Sequence, residues 1–251
     1  MANYIISGIP SGEGGTGRLV EYIKTQNTLR GNHYVIIEKP NPYISGTLTA
    51  LLQSILPGQY QRLSLIFLAS KFRFYAGLLR VILSGPSILI ILHPQTLGFR
   101  LVLWLISVHK GKTFLYVLDN SYFCIRSYNY IPQENAPCLA CFGSDTSLAT
   151  LCKCLPFPVP NYYAHTYISK LRTMARAHEI TLLAQNSMQS ILLQEHFGLS
   201  SAPKVVGMMT QDISNISISP GLPRPNKYSL TSTHLKQIIF HGNPLDAKGL
   251  H

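Results

Sequence analysis

Acidic residues are scarce in this chain: 10 Asp and Glu stand against 21 Lys and Arg in 251 residues, and charged side chains make up only 12%. Together with 46% hydrophobic residues, that excludes a disordered, self-repelling chain. Enough apolar material is left for one large or two small domains. Negative charge is missing altogether between Lys39 and Leu118, a stretch that carries eight Lys or Arg residues. Such an imbalance points to an anionic surface or ligand, or to a solvated basic face. No nucleic-acid-binding module accompanies the basic charge, so nucleic acid is not an expected partner.

An unbroken apolar run of membrane-spanning length is also lacking. Val81 to Phe99 carries no charge, but Gly85-Pro86 and His93-Pro94 interrupt it, which reads as a helix end, a turn and a buried strand. The opening Met1-Ala-Asn-Tyr-Ile-Ile has no basic start of the kind that begins a secretory leader. The expectation is a cytoplasmic protein whose cysteines are mostly reduced.

What the chain does have is alternation. Short apolar runs at Asn3–Ser7, His33–Glu38, Ser87–His93, Thr113–Asp119 and from Glu179 suit strands, and the continuous "SILIILH" suits a parallel strand buried on both faces. Between them, helical spacing predicts helices over Gly17–Arg30, Thr47–Leu56, Leu63–Leu83, Phe99–Val108, Tyr162–Ala177 and Asn186–His196, the last capped by Asn186 or Ser187. "KVVGMM" is a further short strand. Repeated strand–helix alternation predicts an α/β fold with a doubly wound, mainly parallel Rossmann-like sheet. It is expected over residues 1–211. Residues 212–233, rich in Ser, Asn and Pro, read as a linker. Residues 234–251 open a new strand at Lys236–Phe240 and a glycine turn, the start of a second domain.

Between the first strand and first helix lies "SGEGGTGRL", where two phosphate-binding patterns nearly fit. Gly12 to Leu19 has Walker spacing, but Arg18 and Leu19 replace the Lys that reaches the β/γ-phosphates and the Ser/Thr that holds magnesium, so a P-loop NTPase is set aside. Gly12, Gly14 and Gly17 spell the dinucleotide fingerprint, and Glu38 stands where a ribose-binding acid belongs. Four residues, however, separate the strand from the first glycine, where that motif wants a tight turn. What survives is general: backbone amides at a helix N-terminus, unencumbered by side chains at Gly14, Gly15 and Gly17, with Thr16 and Arg18, facing an anionic group. A plain strand-to-helix turn is the alternative.

Two further clusters stand out. Cys138-x2-Cys141 and Cys152-x-Cys154 could hold a structural zinc, with Cys124 as a substitute ligand and free buried thiols as the alternative. Leu63–Leu83 mixes Lys71, Arg73 and Arg80 with Phe67, Phe72, Phe74 and Tyr75, a composition suited to an anionic bilayer surface, where each basic residue adds about 1 kcal/mol. The competing reading is a helix packed on the sheet with basic residues at its rim.

In this order, four stretches resemble the N-terminal half of a family 4 glycosyltransferase of the GT-B fold. They are "GEGGTGRLVEYI"; "LDNSYFCIRSYNY" followed by "CLACFG"; "LLAQNSMQSILLQEHFGLSSAPKVVGM"; and "IIFHGNPLDAKGL". In the last, Gly242 and Lys248-Gly249 match the opening of that family's donor-binding domain. The resemblance implies sugar transfer from a nucleotide-sugar donor to a glycan or lipid-linked acceptor, without a catalytic metal and with retained anomeric configuration, in a cleft between two Rossmann-like domains. The glycine loop would lie near donor phosphates and acceptor. Many members end the fourth strand with a His-Asp pair. Asp119 matches the acid but Leu118 occupies the histidine position, so His93, ending the "SILIILH" strand, becomes the candidate catalytic histidine. Its alternative is a turn histidine before Pro94, and Asp119's alternative is a structural cap. The rest of the donor-binding domain would lie beyond His251, in a continuation of the chain or a separately encoded half, and these residues alone are expected to be incomplete for turnover. A peripheral membrane position, a non-catalytic docking module and an NAD-binding domain complete the expectations.

Overall fold

The computed structural model describes residues 2–12, 15–31, 34–40, 57–127, 130–131, 136–138, 140–143, 146–156 and 163–207. The expected helix at 47–56, the linker at 212–233, the strand at 236–240 and the donor-domain residues Gly242, Lys248 and Gly249 lie outside them.

Six strands form one parallel sheet: β1 (Asn3–Ser7), β2 (Tyr34–Glu38), β3 (Ile88–Leu92), β4 (Lys112–Tyr116), β7 (Ile180–Ala184) and β8 (Lys204–Val205), in the spatial order β2-β1-β3-β4-β7-β8. β1 aligns Tyr4 with Val35 on one side and with Leu89 on the other. The short pair β5 (Tyr130–Ile131) and β6 (Ala136–Pro137) is antiparallel and separate. The helices are α1 (Gly15–Leu29), α2 (Pro57–Leu83), α3 (Pro94–Leu97), α4 (Phe99–Val108), α5 (Ser147–Leu151), α6 (Ala164–Arg176) and α7 (Ser187–Phe197). The doubly wound parallel architecture expected from the alternation is thus the observed one. Boundaries differ by a few residues, the clearest case being α2, which starts at Pro57 where Leu63 was expected.

The strand order reverses between β1 and β3. Because parallel crossovers are right-handed, stepping from β1 to β2 and then back past β1 sends the connecting helices to opposite faces. The core divides accordingly. Tyr4, Ile6, Leu89, Ile91, Leu115 and Val117 face a large cluster with Phe74 and Leu78 of α2, Val102 and Leu105 of α4, Leu171 of α6 and Phe197 of α7. Ile5, Leu92 and Tyr116 face Leu19 and Val20 of α1. Period-2 alternation along each strand delivers both faces from one continuous apolar run. Phe99 stacks on Tyr167 at 4.1 Å between ring centroids, joining α4 to α6. Asn186 caps α7 by accepting from the Gln189 amide at 2.9 Å, which fixes one of the two capping candidates.

The end of α7 holds a buried histidine. His196 is 1% exposed, its ring packed among Phe123, Phe142 and Phe197. Its Nδ1 accepts from the Gly143 amide at 2.9 Å, so the neutral ring is the one that fits. Arg172 and Arg176 donate to the carbonyls of His196 and Phe197, both at 2.6 Å, satisfying the helix's last acceptors. Burial, assisted by Arg172, pulls the His196 pKa down to about 4. The unfolded chain, titrating near 6.5, then binds more protons than the folded one between pH 6.5 and about 4, so stability falls as pH falls through that window. Urea unfolding at pH 7 and pH 5 is expected to differ by about 2 kcal/mol more in the wild type than in His196→Gln. Equal pH dependence in the two proteins would contradict the buried neutral ring.

Candidate functional site at the carboxyl edge of the sheet

In an open parallel sheet, ligands gather beyond the carboxyl ends of the strands where the order reverses. Here that point lies between β1 and β3, and the glycine loop leaves one strand while His93 ends the other.

The approach is unusually close. The Gly8 amide donates to Leu92 O at 3.0 Å, and a Cβ at Gly8 would strike Thr96 Oγ1 and the His93 carbonyl oxygen. Only glycine lets the β1 exit lie against the turn at 93–97. Lys39, just past β2, donates its amide to Ser7 O at 2.9 Å and its ammonium to the carbonyls of Thr96 and Leu97, the latter at 3.2 Å. Three strand ends are thereby bound to one short turn. Partial burial lowers the Lys39 pKa.

His93 adopts a left-handed backbone, φ 52°, a conformation that costs a non-glycine residue about 1–3 kcal/mol and persists where its surroundings over-determine it. Thr96 donates its hydroxyl hydrogen to the His93 carbonyl at 3.2 Å. His93 Nδ1 lies 2.8 Å from the same hydroxyl oxygen, a contact open to either tautomer of the ring. Nε2 then faces Asp119 Oδ2 at 3.4 Å, with side-chain exposures of 14% for His93 and 17% for Asp119. Burial lowers the His93 pKa, while Asp119 and the residue's own backbone pull it back up. Asp119 serves two partners: Oδ1 accepts from the Ser121 amide at 2.8 Å, capping a 3-10 turn at Asn120–Tyr122, and Oδ2 faces the histidine. The cap and the catalytic candidate are therefore one residue with two oxygens in use. Leu118 packs beside the small core formed by Ile5, Leu19 and Val20.

The glycine loop divides into different parts. Gly15, Thr16 and Gly17 form the first turn of α1, with Gly15 exposed and open space where its Cβ would be. Gly17 is buried, and a Cβ there would lie 3.0 Å from Gly12 O and 3.1 Å from Pro10 O. Its absence of side chain serves loop packing. Arg18 is exposed, and Gly14 lies outside the described residues. Lys24 meets Glu38 Oε1 at 2.6 Å and donates to Ser11 Oγ at 2.9 Å. Ser11 Oγ lies 3.4 Å from Glu38 Oε2. A ribose at Glu38 would have to displace those partners, which weighs against the dinucleotide reading.

Lys71, Arg73 and Arg80 lie on α2, all exposed. None of the five cysteines forms a disulfide; Cys124 and Cys141 are buried, Cys138 and Cys154 partly so, and Cys152 exposed. Burial and then the nearby Cys124 push the Cys141 thiol up to about 11; the Ala149 amide on its sulfur opposes this, and Cys138 and Cys154 add to the rise. Cys124 lies near enough to Cys138, Cys141 and Cys154 to act on the group, while the largest thiol influence on Cys154 is Cys152. Among the described residues no three His, Cys, Asp or Glu side chains stand in metal-ligating geometry. The zinc expectation keeps only the cysteine spacing behind it.

Lys39 and Thr96 are the functional candidates that sequence reasoning passed over. A Lys after a strand and a Thr three residues past a histidine are ordinary, and only parallel pairing brings them together. No family model matches the chain, and no curated protein or solved structure matches it. The class is therefore set by the sheet order itself: a Rossmann-like α/β fold with a His–Asp pair at its switch point. Among the described residues, no helix is long and apolar enough to cross a membrane.

Two outcomes check this geometry. In Asp119→Asn the amide oxygen can still cap Ser121, but the charge that favours the imidazolium is gone, so His93 should titrate lower than in the wild type in a histidine NMR titration. An unchanged value would separate the two side chains. With a thiol reagent at pH 8, Cys152 should be modified first and Cys141 at least ten times more slowly; simultaneous labelling of the two would contradict the burial difference.

Proposed function

We propose that this chain is the acceptor-side domain of a GT-B glycosyltransferase, moving a sugar from a nucleotide-sugar donor to a glycan or lipid-linked acceptor. The observation that carries the reading is the His93–Asp119 pair at the carboxyl edge of the sheet, beside the loop that leads into α1. With the ring proton on Nδ1, an acceptor hydroxyl hydrogen-bonded to Asp119 Oδ2 can give up its proton through that oxygen to Nε2 as its own oxygen bonds to the anomeric carbon and the bond from that carbon to the phosphate oxygen breaks. Asp119 Oδ2 stabilises the imidazolium so formed, and Thr96 holds the ring from the other side. The lowered His93 pKa keeps the ring unprotonated at neutral pH, as a proton acceptor must be. The donor's phosphates would approach the first turn of α1, where Gly15 adds no side chain and the helix dipole favours negative charge.

One observation favours a second reading, a non-catalytic docking module derived from such a domain. The residue before Asp119 is an apolar Leu118 turned to the α1 core, where a transferase of this type commonly carries histidine.

The test is binding of lipid-linked acceptor extracted from membranes to this acceptor-side domain. Saturable binding is expected, weakening about tenfold in His93→Gln with the melting temperature unchanged. Binding indifferent to both His93→Gln and Asp119→Asn, or absent, would sink the transferase reading.

A further inference from the structure

Helix α2 has two apolar faces, and the sheet uses only one. Phe74, Leu78 and Val81 are buried against the core, and Gly77 brings the backbone over Ile37, whose Cγ2 would lie 3.0 Å from a Cβ there. Roughly opposite, Leu68, Phe72, Tyr75, Leu79 and Leu83 are 64%, 75%, 63%, 55% and 75% exposed. Their spacing of four, three, four and four residues gathers them within an arc of about 80° on a helix turning 100° per residue. Lys71 borders this stripe on one side and Arg73 and Arg80 on the other, all three exposed.

We infer that the outward face of α2 is a docking surface for anionic lipid bilayers, its apolar stripe seated between headgroups and Lys71, Arg73 and Arg80 against lipid phosphates. Scattered exposed leucines need no explanation, but a continuous stripe of five large apolar side chains does. Charge selects the occupant. No acidic residue occurs anywhere from Lys39 to Leu118, so α2 and its sequence neighbours carry positive charge only. A second copy of this chain is the poorer fit, because a twofold contact would set the same three cations against one another. An anionic surface meets the stripe and the border together. The helix does not cross the membrane, since it is not apolar enough along its length. It would lie in the interfacial plane, held to the domain by its inner face. The inference stands whichever reaction the sheet edge performs.

The experiment is co-sedimentation of the full chain with phosphatidylcholine vesicles, with or without phosphatidylglycerol at about a third of the lipid. The triple variant Lys71→Gln/Arg73→Gln/Arg80→Gln is expected to bind the anionic vesicles about a hundredfold more weakly, at roughly fivefold per charge. Phe72→Ser/Leu79→Ser, which removes insertion but keeps the charge, should bind at least tenfold more weakly. Because these side chains are exposed, circular dichroism and melting of both variants should match the wild type. Equal wild-type binding to neutral and anionic vesicles, no binding to either, or unchanged binding of both variants would overturn the inference. So would a wild-type dimer in sedimentation velocity that Phe72→Ser/Leu79→Ser dissolves.

Discussion

The arrangement at the carboxyl edge of the sheet depends on a missing side chain. Gly8 passes so close to the turn at 93–97 that any Cβ would meet the His93 carbonyl and the Thr96 hydroxyl. With that contact made, the Gly8 amide reaches Leu92 and Lys39 reaches the carbonyls of Thr96 and Leu97. Three neighbouring strands then share one turn. The left-handed backbone of His93 is a strained conformation that persists only when such contacts leave no alternative. Its consequence is chemical: Nδ1 is turned to Thr96 and Nε2 to Asp119.

The order of the strands sets the second level of organisation. Reversal between β1 and β3 places α1 alone on one face and α2, α4, α6 and α7 with the large core on the other. The switch point is therefore narrow and bordered by a loop, and it is where charged and polar side chains can meet while remaining half buried. Elsewhere the same large core enforces neutrality, as at His196, where the aromatic neighbours and Arg172 leave no room for an imidazolium.

Much of this was legible in the sequence, and the exceptions share a cause. Apolar runs bounded by turn residues located the strands, and Asn186 announced a helix start, because those signals are local. His93 and Asp119 were each recognisable as strand-end residues. Their meeting was not, since it is produced by β3 and β4 pairing in parallel with Leu92 beside Tyr116. The pairing of β1 with β2 and with β3 hid Lys39 and Thr96 in the same way. Spacing favoured Cys152 as a partner of Cys154, and the two do act on each other, but the fold leaves Cys152 exposed and also brings Cys124 near Cys138 and Cys154. In α2 the composition showed basic and aromatic residues together, but only packing separates Phe74, directed inward, from Phe72 and Tyr75 outside. Gly14, Gly15 and Gly17 were read as one ligand-facing loop, and the structure divides the two described: Gly17 serves packing, whereas Gly15 stands open.

The most direct test of the claim that Gly8 holds the site together is a comparison of Gly8→Ala with Gly85→Ala, whose added Cβ meets nothing. Both would be followed by thermal unfolding and by the NMR titration of His93. The account predicts a loss of about 1–3 kcal/mol in Gly8→Ala together with a shifted His93 titration, and neither effect in Gly85→Ala. A Gly8→Ala protein with wild-type stability and an unmoved His93 titration would contradict it.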